Sequence, residues 1–184
     1  EVNVLTDIVV DGDLTINTNA ILDIGTANSD INIHRNFSNS GTFLSSGETL
    51  TFDGGGNCTT SAFLNDATLH VVVNKSYSGD IVLLAGPFKS SVFDELTIMS
   101  GIFEFGLMDT ITVNDFTVYD GQKLTILDDG ILNVDSDINA NSTGEIDFYS
   151  TTPATKLILS GTVTSLGTLD QYDGTVVYDG ASQT

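Results

Sequence analysis

In TLTFD, residues 49–53, Leu50 and Phe52 point one way while Thr49 and Thr51 point the other. This period of two is the signature of a half-buried strand. It recurs in EVNV (1–4), LTI (14–16), INI (31–33), LTI (96–98), ITV (111–113) and LTI (124–126). The strands are short, and turn formers separate them: DGD (11–13), GTANSD (25–30), DGGGN (53–57), DDG (128–130) and NSTG (141–144). No stretch sustains a helical period. VFDELTIMSG (92–101) imitates one turn, but its β-branched residues and trailing glycine favour a strand.

The strands also resemble one another. TINTNAILDIGTANSDIN (15–32) reads like TILDDGILNVDSDIN (125–139) with a short deletion. The implied short period is very roughly 17–25 residues, the size of one solenoid coil. A short strand with one apolar face cannot bury that face alone, and stacking successive coils in parallel buries all such faces in one core. The expected fold is therefore all-β: a parallel β-solenoid (β-helix) of short coils, open at both ends. The inward residues would be Leu14, Ile16, Ile31, Ile33, Leu50, Phe52, Leu96, Ile98, Leu124 and Ile126. Asn and Gly suit its corners because they tolerate a left-handed backbone. The competing reading is an Ig-like β-sandwich, which short strands at regular spacing would also suit.

A second, longer recurrence exists. GTFLSSGETLTFDG (41–54) aligns without a gap with GTLDQYDGTVVYDG (167–180), placing Gly41, Gly54, Gly167 and Gly180 at corners. The sequence shows no polar cap or terminal helix, and an uncapped solenoid exposes unpaired strand edges. Residues 1–184 thus read as a single continuous segment of a longer tandem-repeat protein. Residues 58–98 are its irregular part with longer loops, holding Pro87, Lys75 and Lys89.

Charge narrows the partners. The chain has 25 acidic residues against 5 basic, a net charge of −20. That argues against nucleic acid, whose phosphates need Lys and Arg, and equally against an anionic membrane surface. One cysteine, Cys58, provides no disulfide framework and reads as a small buried residue. The longest apolar stretches, such as IVLLAG (81–86), are strand-sized, so membrane insertion is not expected. The sequence contains no signal peptide, so an export signal would lie outside it.

The order FDGGGN (52–57) and VVYDGASQT (176–184), TLHVVVN (68–74) and ELTIMSG (95–101), GDLTINTNAILDIG (12–25), INIHRNFSNSGTF (31–43) resembles large repetitive bacterial surface adhesins. These very long proteins are exported by the type IX secretion route and serve attachment and gliding. The resemblance covers most of the chain, most strongly 11–57 and 157–184, while the middle departs from it. It implies an extracellular or cell-surface location, and it brings no catalytic residues.

The residues themselves suggest several chemistries. Paired carboxylates at corners, Asp11 with Asp13, Asp128 with Asp129 and Asp135 with Asp137, are candidate calcium ligands. They match neither an EF-hand nor a nonapeptide calcium repeat, and turn formation explains them equally. The pairs Thr49/Thr51, Thr110/Thr112 and Thr162/Thr164 are the type of outward threonine that can face ice, yet they are scattered. Polysaccharide cleavage needs clustered carboxylates beside a cation in a groove. Arg35, the only arginine, sits next to His34 in a turn-like stretch, and His70 reads as a strand residue. Tyr119, Tyr149, Tyr172 and Tyr178 lie at strand or corner positions where aromatic rings could hold sugar, whereas Phe37, Phe43 and Phe52 read as core.

The sequence therefore leads to a non-enzymatic expectation: a structural stalk of an adhesin or surface filament, giving reach and stiffness, with no cofactor unless calcium binds. Its partners would be adjacent repeats of the same chain and neighbouring adhesin chains, with the surface or glycan ligand carried elsewhere in the parent protein. The alternative is an extracellular module binding glycan, calcium or ice on the same scaffold.

Overall fold

A computed structural model describes residues 1–61, 67–85, 90–106, 108–170 and 172–180. The chain winds into a parallel β-solenoid of about 8 turns, with 2% helix. The strands fall on three faces, and every pairing among the described residues is parallel.

On the first face the register runs Ile8, Ile31, Leu50, Val71, Leu96, Phe116, Ile138, Val163, each beside the next. The second face runs Cys58, Val82, Phe103, Leu124, Ile146, Leu169, preceded by Leu14, Phe37 and Thr60. The third begins with Val2, Leu22 and Phe43 and resumes with Ser91, Ile111, Leu132, Leu157 and Val176. Like residues stack on like because a parallel register repeats the same inward position at each coil. The result is one apolar core running the length of the stack.

Strands lengthen where they turn a corner without breaking. Ser90–Ser100 serves the third face with Ser90–Phe93 and the first with Glu95–Ile98. Asp137–Tyr149 spans the first and second faces in the same way. The only helical piece among the described residues is a single 3-10 turn at Gly25–Ala27, ended by Asn28 in the left-handed region at φ 52°.

Of the ten expected inward residues, all but Leu14 are buried, and Leu14 is half-buried against the same core. The sandwich alternative is excluded by the parallel pairing, since a sandwich of that type is antiparallel. The described strands within 58–98 join the stack: His70–Asn74 pairs on both sides, with Thr49–Phe52 and with Glu95–Ser100. Pro87 and Lys89 lie outside the described residues.

The long recurrence has an unexpected geometry. Thr42–Leu44 and Thr49–Phe52 occupy the third and first faces. Their aligned counterparts, Thr168–Asp170 and Thr175–Tyr178, occupy the second and third. The two copies are one face out of phase. What they share is the corner itself. A Cβ on Gly41 would sit 2.4 Å from the Ala20 carbonyl oxygen, and one on Gly167 2.2 Å from that of Gly144. Both corners pack so close to the coil before them that only glycine fits.

Candidate functional site

The paired carboxylates do not converge. Asp11 lies 3.0 Å from His34 Nδ1, whose other ring nitrogen is 3.1 Å from Asp53 Oδ1. That buried Asp53 oxygen makes no aligned hydrogen bond, so its relation to His34 is one of proximity. Asp13 Oδ1 accepts the Asn36 backbone N–H and side-chain amide, both at 3.1 Å. Asp128 Oδ1 accepts the Thr151 N–H at 2.7 Å, and Asp129 Oδ1 accepts the Thr152 hydroxyl at 2.6 Å. The Asp135 N–H donates to the Val113 carbonyl, and the Asp137 N–H to Asp115 Oδ1 at 3.1 Å. Among the described residues no group of three or more His, Cys, Asp or Glu is placed to hold a metal ion.

These contacts form corner ladders. At the corners, where pairing between strands lapses, a backbone N–H that opens or flanks a strand takes its acceptor from outside the ladder. A short side chain one coil earlier supplies the acceptor. Asp7 serves the Asp30 N–H, and Asp30 in turn serves that of Thr49. Asp13 serves Asn36, whose own side chain serves Thr59. Asn57 serves Ile81, Asp115 serves Asp137, and Asp120 serves Thr143. Asp7, Asp30, Asn57, Asp115 and Asp120 were not singled out from sequence. The signal that could have found them is an Asp or Asn recurring at corners about one coil apart.

Cations are few, and two of them, Lys123 and Lys75, are engaged by the chain. Lys123 Nζ lies 2.6 Å from Glu145 and 3.3 Å from Asp147 on the next coil. Desolvation alone would lower its pKa, but the hydrogen bonds and charges of both carboxylates outweigh that and raise it. Burial pushes Asp147 up despite Lys123, helped by the Glu145 and Asp170 charges. Burial also raises Glu104. Lys75 is 2% exposed, and its ammonium donates to the Asp53 carbonyl at 2.5 Å, with Cys58 Sγ 4.0 Å away. Burial raises the Cys58 thiol, opposed by Lys75 and aided by Asp80, so the thiol is not activated for attack. Arg35 is exposed, and His70 pairs with Asp94 at 3.2 Å.

The threonine pairs do not assemble. Thr51 stands between Asn32 and Val72 on the first face, and Thr112 between Val92 and Asn133 on the third.

Two tyrosines do come together. Tyr149 and Tyr172, on successive coils, meet edge to face with ring centroids 6.2 Å apart and planes at 77°. They are 64% and 63% exposed and, with Asp128, Ser150 and Thr151, line a cavity of about 260 Å³. Tyr119 and Tyr178 are exposed elsewhere.

Fold and surface thus define a three-sided parallel β-solenoid with corner ladders and an outward aromatic cleft. Comparison with protein families, with curated proteins and with solved structures finds no match to this chain. No helix among the described residues is long and apolar enough to cross a membrane.

Proposed function

We propose that this chain is a stalk segment of an extracellular, repetitive bacterial adhesin or surface filament of the type IX-exported kind, supplying reach and stiffness for attachment or gliding. The observation that carries this reading is the single core along which successive coils stack by parallel strand pairing. About 8 turns at ~4.8 Å per coil make a rod on the order of 40 Å long. Bending such a rod disturbs three ladders at once. Its net charge of −20 keeps neighbouring rods apart. Its partners are then adjacent repeats of the same chain and neighbouring chains of its own kind.

The test is immunogold labelling of intact source cells with antibody to this segment, alongside the mass of the native polypeptide recognised. The expected result is label on projections outside the cell and a mass far above 19.5 kDa. A free species near 19.5 kDa in the medium, or label confined to the cell interior, would overturn the proposal.

A further inference from the structure

The Tyr149–Tyr172 pair is the place where the outer surface departs from its own pattern. Large side chains are also exposed at Val9, Tyr77, Met99, Tyr119 and Tyr178, but among the described residues Tyr149 and Tyr172 alone form an exposed ring pair. Single exposed apolar side chains are ordinary, but two large rings held against each other in water are not explained by folding. Neither ring contributes to the core, and each is well over half exposed.

The cleft beside them is built rather than incidental. Tyr149 ends the strand Asp137–Tyr149, in register with Leu127 on the coil before. The next residues are pinned. Ser150 Oγ is bonded to the Thr155 hydroxyl at 2.7 Å, accepts the Thr152 N–H and donates to the Thr152 carbonyl. The Thr151 N–H is held by Asp128 Oδ1 at 2.7 Å. Floor and rim are therefore positioned before any ligand arrives, which lowers the entropy cost of binding.

We propose that this cleft is a binding subsite for an uncharged sugar ring of a neutral glycan. A tyrosine ring offers a flat, electron-rich apolar face to the C–H face of a pyranose. At the rim the Asp128 carboxylate, which has acceptor capacity beyond the Thr151 N–H, and the Thr151 hydroxyl are the polar groups for sugar hydroxyls, while the buried Ser150 hydroxyl is spent on holding the turn. The volume, about 260 Å³, falls just below the ~300–1,000 Å³ typical of drug-sized ligands, which suits one ring with the rest of the chain in solvent. Charge sets the class. Asp128 lines the cleft and the chain carries a net charge of −20, so uronic, sialic or sulfated sugars are repelled. A single shallow subsite binds weakly, and copies along a rod would convert weak contacts into avidity. This assignment is independent of the stalk reading, because a free 19.5-kDa protein could carry the same cleft.

The experiment is a titration of the intact chain with neutral gluco-, galacto- and manno-oligosaccharides and with oligogalacturonate, followed by NMR of the tyrosine rings. The expected result is perturbation of the Tyr149 and Tyr172 rings by at least one neutral series, with an affinity on the order of 1 mM, and none by oligogalacturonate. Tyr149→Ala and Tyr172→Ala should each weaken binding by about three- to tenfold, roughly the loss of one stacking contact, at unchanged melting temperature. Tyr178→Ala, on the third face, should bind as the parent does. The assignment is overturned if no neutral saccharide perturbs these rings at tens of millimolar, if binding survives both substitutions together, or if the acidic oligomer binds better.

Discussion

Asp120 Oδ1 accepts the backbone N–H of Thr143, one coil further along, at 3.0 Å, and the hydroxyl of the same residue at 3.1 Å. One carboxylate oxygen thus joins two coils at a corner where strand pairing has stopped. The Thr143 N–H, then its hydroxyl, hold the Asp120 carboxyl below its ordinary value against an opposing desolvation, with Ser142 contributing least.

That relationship fixes the sign of an acid limb. A carboxyl lowered by folding contributes stability above its unfolded value of 3.8, and loses it as pH falls through the folded one. Asp147 and Glu104 act the other way. Burial raises both, so the folded state takes up their protons first, and stability grows as pH falls from neutrality through their folded values. Relief of the −20 net charge adds to that rise. The melting temperature should therefore climb from pH 7 to about pH 4–5 and fall below it. Asp120→Asn keeps an acceptor that does not titrate and should flatten the acid limb. A melting temperature that falls steadily from pH 7 downward contradicts this account.

Inward and outward positions should respond oppositely to charge. Ile98 is fully buried between Val73 and Val118. Ile98→Asp places an unpaired carboxylate in the core and should cost more than about 4 kcal/mol, enough to unfold a domain of ordinary stability. Thr51→Asp faces outward and should change stability by less than about 1 kcal/mol. Circular dichroism melts decide it, and equal melting temperatures for the two variants would sink the three-faced core.

Glycines should divide by contact rather than by number. A Cβ on Gly161 would lie 1.7 Å from the Ser136 carbonyl oxygen on the coil before, whereas nothing lies within 4 Å of one on Gly12. Gly161→Ala should destabilise by about 3 kcal/mol or more, since backbone must move. Gly12→Ala should be neutral or stabilise by about 0.4–1 kcal/mol through the unfolded chain. Urea titrations of the pair compare the two directly.

Divalent cations should act through general charge. Asp13, Asp128 and Asp129 already accept hydrogen bonds within the ladders. Calcium and magnesium should then raise the melting temperature by similar amounts, by screening the −20 charge. A rise selective for calcium, lost in Asp128→Asn, would instead assign a calcium site to that corner.

Much of the core was legible because inward positions obey a local rule. Leu50, Phe52, Leu96 and Ile98 alternate with polar neighbours, and alternation within one strand suffices to say which side is wet. The corner carboxylates were legible as residues but not as roles. Asp13 and Asp128 looked alike as calcium ligands and turn formers, and what they hold is an amide one coil later in sequence. The tyrosines were named one by one, and nothing local distinguishes Tyr119 from the pair Tyr149 and Tyr172.

The sequence by itself determined an all-β chain and favoured stacked coils over a sandwich: short alternating strands, glycine- and asparagine-rich corners and a period near one coil bury many small apolar faces best in a stack, while the parallel pairing came from the structure. Only the tertiary structure decided how the coils are phased. The length of each corner sets which residues of successive coils lie side by side, and those lengths vary. That is why GTFLSSGETLTFDG and its counterpart, aligned residue for residue, stand on different faces. The same accumulated phase brings Tyr172 onto Tyr149 and Thr143 onto Asp120, contacts between distant residues that no local pattern encodes.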